Sequence, residues 1–321
     1  MMGTKKMPNQ EHPKCIQLQE LNISFETRAG RLRAVSDVDL VVKENEIMGL
    51  VGESGSGKTV TGLSIMRLLP VPPARIDGHI FFDKRDLLTL SEDDMAKIRG
   101  GKIAMIYQDP MTSLNPVLRV GDQIAEAVMK HQGQSKREAM QTAIDAMRDV
   151  SIASPEKRVR DYPHQMSGGM RQRIVIATAL SCNPKFLIAD EPTTMLDLIS
   201  QYQIINLLRE LRRRLGSILY ITHDMGIIAQ LCDRVAVIYA SRIMEVADVH
   251  TLFSRPLHPY TIGLLESVTK ADVKTDVLKY MDGNLPDLTR PPSGCIFHPR
   301  CRLMREECKK AVPSLREIEL G

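Results

Sequence analysis

Across its 321 residues the chain has no uninterrupted apolar run of eighteen or more, which excludes a hydrophobic membrane-spanning helix. Its opening residues, Met1 to His12, lack the apolar centre of a secretory signal. These two absences predict a chain that stays in the cytoplasm. An excess of one charge is missing too. Lys and Arg number 43 against 39 Asp and Glu, a formal net charge of +4, which is too weak to point to nucleic acid as a partner. No internal repeat is visible, so the chain does not carry the same site twice. No long heptad insertion is present, which excludes a coiled-coil arm. What remains is ordinary: 43% hydrophobic and 26% charged residues, and a length that builds a sizeable core in one or two domains.

The most informative stretch is Gly52, Glu53, Ser54, Gly55, Ser56, Gly57, Lys58 and Thr59. It fits the phosphate-binding pattern G-x-x-x-x-G-K-S/T. The apolar run Ile47 to Val51 before it reads as a buried strand, and Val60 to Leu69 after it as a helix stopped by Pro70. In that context the glycines let backbone N–H groups turn toward phosphate oxygens, and the helix N-terminus adds partial positive charge there. Lys58 is expected to reach the outer phosphates, and the Thr59 hydroxyl to ligate Mg²⁺.

Such a site needs acids at a second strand end. Phe186-Leu-Ile-Ala-Asp-Glu191 supplies four apolar residues followed by Asp190 and Glu191. In open α/β sheets ligands bind at the C-terminal ends of the strands. Asp190 is expected to hold Mg²⁺ through water, and Glu191 to orient or deprotonate an attacking water.

Tyr162-Pro-His-Gln-Met-Ser-Gly-Gly-Met-Arg-Gln-Arg173 lies just upstream, and Ser167, Gly168 and Gly169 open what reads as a helix through Leu180. A serine and two glycines at a helix start form an anion cradle. The stretch resembles the signature motif of ATP-binding-cassette (ABC) ATPases. The resemblance extends to Gln108 as the Q-loop, Thr194-Met-Leu-Asp197 as the D-loop with Asp197, His223 as the switch histidine, and Phe25 as the ring that stacks on adenine. It implies a mostly parallel sheet flanked by helices, with an antiparallel β-lobe, a helical subdomain and a small C-terminal extension. It also implies ATP with Mg²⁺, the metal held through Thr59, Gln108 and Asp190, and catalysis by Glu191, Gln108 and His223. The cradle of Ser167, Gly168, Gly169 and Met170 would bind the γ-phosphate held by a second, related ATPase subunit. Two positions depart from the usual pattern: Met170 stands where many ABC proteins have Gln, and Met195 where Ala is usual. Serine and backbone amides make the phosphate contacts, so Met170 leaves the site intact. Met195 bears on the rate through the tight dimer contact.

Three longer stretches resemble the peptide and nickel importers: Gln108-Asp-Pro-Met-Thr-Ser-Leu-Asn-Pro116, Arg255 to Leu265, and Gly294-Cys-Ile-Phe-His-Pro-Arg-Cys301. The likeness covers roughly residues 14–320 and favours the dipeptide/oligopeptide group. It implies two transmembrane permease subunits, an extracytoplasmic solute-binding protein, and a peripheral position on the cytoplasmic face of the inner membrane. A nickel importer of the same family, and a soluble ABC ATPase acting in translation or nucleic-acid repair, stay open as alternatives, as does an inactive structural half.

The organisation expected is a loose polar leader (1–13), an ABC ATPase domain (14–250) with a helical subdomain at about 109–165, and a C-terminal extension (251–321) rich in Pro and Gly. Leu21–Phe25 and Val35–Val42 alternate like strands, and Val120–His131 and Lys136–Val150 have helical spacing. Arg212, Arg213 and Arg214 end an amphipathic helix, where cations offset its dipole.

Six cysteines occur. Cys15, Cys182 and Cys232 are scattered and read as small buried hydrophobes. Cys295, Cys301 and Cys308 cluster, and a disulfide is not expected in a reducing compartment. Thiolates so close suit an iron–sulfur cluster or zinc. The resemblance implies a 4Fe–4S cluster with a fourth cysteine farther on, and none follows Cys308 in this sequence. A zinc site completed by His298 and the absence of any metal stay open beside it.

Overall fold

Alternating apolar residues over 14–43 form a long antiparallel hairpin, β1 (Lys14–Thr27) and β2 (Gly30–Lys43). With β4 (Ala74–Phe82) and the short β5 (Arg85–Asp86) they make a four-stranded sheet in the order β2-β1-β4-β5. The computed structural model describes residues 14–109, 113–267 and 281–318. The expected leader and residues 110–112 of the Q-loop stretch lie outside the described residues, as do 268–280 and 319–321 of the extension.

The second sheet carries the site. Its strands are β3 (Ile47–Val51), β6 (Ile103–Ile106), β7 (Phe186–Asp190), β8 (Ser217–Thr222), β9 (Arg234–Tyr239) and β10 (Arg242–Asp248), in the order β10-β9-β3-β8-β7-β6. All pairings are parallel except β9 with β10. Strands β3, β6, β7 and β8 are buried throughout, as expected of parallel strands covered on both faces. Of these strands β3 and β7 lie at the apolar runs marked in the sequence, whereas β10, like β4 of the first sheet, has no such run. Strand β10 reads Arg-Ile-Met-Glu-Val-Ala-Asp, and only two of its residues are buried. Its charges mark an edge strand, and edge strands weaken the apolar signal.

Helix α1 follows the glycine loop as Lys58–Ile65, four residues shorter at its end than the expected stop at Leu69. The cause is a Schellman closure. Arg67 takes a left-handed φ of 49°, its N–H donates to the Ser64 carbonyl at 2.9 Å, and the Leu68 N–H donates to Leu63 at 3.0 Å. The Arg67 guanidinium is anchored on the carbonyls of Leu87 and Leu90. The helix therefore ends before Pro70 can act.

The helical region contains α3 (Val120–Gln132), α4 (Lys136–Asp149) and α5 (Pro155–Arg158), with α2 (Glu92–Ile98) earlier in the chain. Helix α4 opens on a capping box. The Ser135 N–H donates to Glu138 Oε2 at 2.9 Å, and Ser135 Oγ accepts from the Glu138 N–H, a device worth about 1 kcal/mol. Ile124, Val128, Ala139, Ala143 and Met147 share one core with α6 (Gly168–Leu180), and with β6 and β7 through Ala104 and Leu187. Helices α7 (Leu198–Leu215) and α8 (Met225–Leu231) join the same core through Leu208 and Ile227. Arg212 pairs with Asp233 at 2.7 Å, so at least this cation of the Arg212–Arg214 run is structural. Beyond β10, α9 (Val249–Ser254) and α10 (Pro259–Ser267) pack with Ile296 and Phe297 against Val51, Val235, Val237 and Tyr239. The C-terminal residues thus share a core with the sheet that holds the phosphate loop.

Candidate nucleotide site

Parallel pairing brings four strand ends to one edge. The loop Gly52–Gly57 follows β3, Gln108 follows β6, Asp190 and Glu191 end β7, and His223 follows β8. The loop can be built only from glycine at key points. A Cβ on Gly52 would lie 2.0 Å from the Ile238 carbonyl, and one on Gly57, at φ 105°, 2.3 Å from the Ala34 carbonyl. Gly57 also stands at the N-cap of α1 without a capping side chain, which leaves the first-turn N–H groups for an anion.

Lys58 is buried, and its Nζ donates to the carbonyls of Gly52 at 2.8 Å and Glu53 at 2.9 Å. Burial lowers its pKa, partly offset by Glu191, Asp190 and Glu53. Thr59 Oγ1 donates to Asp190 Oδ1 at 3.2 Å. These two oxygens suit a hard divalent cation, so the donor set fits Mg²⁺. Among the described residues the buried Ser56 hydroxyl has no hydrogen-bond partner.

Glu191 is the hub. Its Oε2 accepts from the Gln108 amide at 3.2 Å and from the Thr194 hydroxyl at 2.9 Å, and its Oε1 lies 3.1 Å from His223 Nδ1. Its backbone takes a left-handed φ of 44°, fixed by its N–H donating to Ile221 at 2.9 Å. A carboxylate oriented by three side chains can accept a proton from water without moving far. Sequence reading named Gln108 and His223 but missed the Thr194 hydroxyl, which lies in the D-loop stretch.

Asp190 is only 2% exposed. Burial pushes its carboxyl up to about 6, with Glu191 adding to the rise and Thr59 and Lys58 opposing it. Ionising it therefore costs the folded chain. The cost is absent below the ordinary 3.8, grows through about 6 and is complete above. That gap corresponds to roughly 3 kcal/mol. Asp190→Asn, melted without nucleotide or metal, is expected to unfold about 4–5 °C higher than the parent at pH 8, with the difference vanishing near pH 4. An equal difference at both pH values would remove burial of the ionised carboxyl as the cause.

The cradle of α6 faces solvent. Ser167 caps the helix, its Oγ accepting from the Met170 N–H at 3.3 Å, and Ser167 and Gly168 are exposed. Among the described residues no hydrogen bond joins 167–170 to the loop 52–59. Asp197 caps α7 and accepts from the N–H groups of Ile199 and Ser200; the Ser200 amide and hydroxyl hold its carboxyl below the usual range. Met195 beside it is 66% exposed. Phe25 is half-buried on β1 and packs against the β-lobe core.

Two links to this site had no sequence signal. The Glu53 N–H donates to Tyr260 Oη at 3.1 Å, and Arg300 Nη1 reaches Glu53 Oε1 and Oε2 at 3.1 and 3.0 Å.

The cysteine segment packs as part of the C-terminal core. Cys295 and Cys301 pack against the core that holds Tyr239, Tyr260 and Phe297, and the Cys295 N–H donates to the Cys308 carbonyl at 2.7 Å. Burial pushes the Cys295 thiol up, opposed by the Phe297 and His298 N–H groups and reinforced by the nearby Cys308 and Cys301 thiols. His298 turns Nδ1 to the Cys295 carbonyl at 2.8 Å. Among the described residues no three His, Cys, Asp or Glu side chains come together to hold a metal. This arrangement of Cys295, Cys301 and Cys308 gives no support to the iron–sulfur cluster or to the zinc site. Burial likewise raises the thiols of Cys15, Cys182 and Cys232; Cys15 and Cys182 are buried and Cys232 half-buried, against the expectation that all three are buried.

Residues 35–194 match the ABC transporter family, and residues 244–308 match the Oligopeptide/dipeptide transporter, C-terminal region. The Dipeptide transport ATP-binding protein DppD of Bacillus subtilis is 47% identical over 94% of this chain and 90% of its own length. The chain belongs to the ABC transporter family. The Oligopeptide transport ATP-binding protein OppD of Escherichia coli is 44% identical to this ABC chain, over 97% of it and 92% of OppD. Among solved structures, the dimeric structure of MJ0796, a bacterial ABC transporter cassette, covers 73% of the ABC chain and 98% of its own, at a TM-score of 0.65 and 26% identity. Among the described residues of this ABC subunit no helix is long and apolar enough to cross a membrane.

Proposed function

We propose that this chain is the ATP-hydrolysing subunit of a peptide importer, working as one of a pair of ATPase subunits. The carrying observation is the convergence of Gln108, Thr194 and His223 on the Glu191 carboxylate, beside Lys58, Thr59 and Asp190. The loop 52–57 and the start of α1 would grip the phosphates, with Lys58 leaving the Gly52 and Glu53 carbonyls for the outer phosphates. Thr59 and Asp190, with Gln108 near them, would hold Mg²⁺, which when bound neutralises charge between the β- and γ-phosphates. Glu191 orients the attacking water and takes its proton; His223 and Gln108 keep that carboxylate aimed. Phe25 would stack on the adenine ring.

The cradle at Ser167, Gly168, Gly169 and Met170, together with Asp197 and Met195, would complete the site on the partner ATPase subunit, a different but related chain. Closing the pair moves the helical region and its groove, and so two transmembrane permease subunits held at the cytoplasmic face of the membrane. An extracytoplasmic solute-binding protein would deliver the peptide. The match of residues 244–308 favours peptides over nickel as cargo. The segment containing Cys295, Cys301 and Cys308 has no metal role in this reading. Tagged chain purified from detergent-solubilised membranes of its own cell is expected to bring down two polytopic subunits. Recovery with ribosomes or DNA instead would favour the soluble alternatives.

A further inference from the structure

Glu53, second in the phosphate loop, is held at three points. Its carbonyl accepts from Lys58 Nζ at 2.9 Å and its N–H donates to Tyr260 Oη at 3.1 Å. Its carboxylate receives Arg300 Nη1 at 3.1 and 3.0 Å. Only Lys58 belongs to the loop itself. Tyr260 lies on α10 and Arg300 beyond it, 207 and 247 residues from Glu53. Both are firmly set. The Tyr260 ring is fully buried, 4.6 Å from the Tyr239 ring and 5.4 Å from that of Phe297. The Arg300 side chain is 7% exposed, lies over the Tyr239 ring at 5.6 Å, and donates through Nε to the Asp282 carbonyl at 2.9 Å.

We propose that Tyr260 and Arg300 are positioning residues for ATP binding, holding the phosphate loop open through Glu53 from the C-terminal part of the chain. The inference rests on the nucleotide-site reading above. Lys58 ties the loop to itself through the Gly52 and Glu53 carbonyls. A triphosphate draws that ammonium away, and the loop loses its internal tie at the moment when its N–H groups must stay aimed. Tyr260 and Arg300 grip the N–H and the carboxylate of Glu53, so they keep their hold when Lys58 leaves. Such pre-organisation strengthens binding without touching the bond that breaks. Its loss should raise the Kd and KM for ATP and leave kcat nearly alone.

The test uses the full chain, for binding of a fluorescent ATP analogue and of ATP itself, and its complex for steady-state hydrolysis. Arg300→Ala, Glu53→Gln and Tyr260→Phe are each expected to raise Kd and KM about tenfold with kcat within about twofold. Arg300→Lys should recover part of the loss. Arg300→Ala combined with Glu53→Gln should be little worse than either alone, because both remove one pair. Arg302→Ala, whose exposed side chain pairs with Asp282 at 3.8 Å, should match the parent. If Arg300→Ala does not fold, Tyr260→Phe and Glu53→Gln, which keep size and packing, decide. Unchanged Kd in those two, or fully additive effects of the Arg300 and Glu53 substitutions, overturns the proposal. Lys58→Ala in the same assay separates the two readings: if it loses binding while the others keep theirs, only the positioning role fails; if it too binds normally, the nucleotide site itself fails.

Discussion

Glu191→Gln is expected to bind ATP as the parent does, to lower turnover about 10²- to 10⁴-fold, as for loss of a general base, and to accumulate a closed dimer with its partner ATPase subunit. The reason lies in the hydrogen bonds around the carboxylate. Oε2 accepts from two donors, Gln108 Nε2 and Thr194 Oγ1. A glutamine amide therefore places its oxygen there and its NH₂ toward His223 Nδ1, which lies 3.1 Å from Oε1. Shape and contacts survive and basicity is lost. The phosphate grip, which depends on the loop 52–59 and not on Glu191, is untouched. Size-exclusion chromatography with Mg-ATP and single-turnover hydrolysis measure the two effects. Parent-like turnover in this variant would take the base role away from Glu191.

Lys58→Ala is expected to lose ATP binding by about 100-fold or more, roughly 3 kcal/mol. The ammonium is hydrogen-bonded to the loop's own backbone, at the Gly52 and Glu53 carbonyls. Burial already lowers its pKa, so the nucleotide-free fold gains little from that charge. The variant should melt near the parent temperature without nucleotide and fail to rise when ATP is added, whereas the parent rises. A thermal midpoint that climbs with ATP as in the parent would undo the assignment of the phosphate loop.

The parts legible in the sequence are those in which chemistry and local backbone coincide. The residues 52–59, Asp190-Glu191, Gln108 and His223 each follow a short apolar run, and each run became a buried parallel strand with its C-terminal end at the site. Ser167 as the cap of α6 was readable for the same reason. What stayed hidden depends on distance or on exceptions to local rules. Helix α1 stops because Arg67, not a glycine, adopts the left-handed turn. Strand β10 is an edge with a charged pattern. The hold of Arg300 and Tyr260 on Glu53 spans more than 200 residues, and no periodicity encodes it. The spacing of the three late cysteines suggests ligands, whereas Cys295 and Cys301 pack beside Phe297 against an apolar core, which spacing does not show.

The strand order has a consequence for how the protein is made. Strand β3, which leads into the phosphate loop, is completed at residue 51, yet its two neighbours are β8 and β9, residues 217–222 and 234–239. On the ribosome, Val51, fully covered in the finished molecule by a core otherwise built of residues 225–297, must wait for some 180 further residues to be translated. At about 5–20 residues per second that interval lasts on the order of ten seconds or more. Throughout it the nascent chain exposes a sticky strand, and it is an expected client of chaperones that shield such segments.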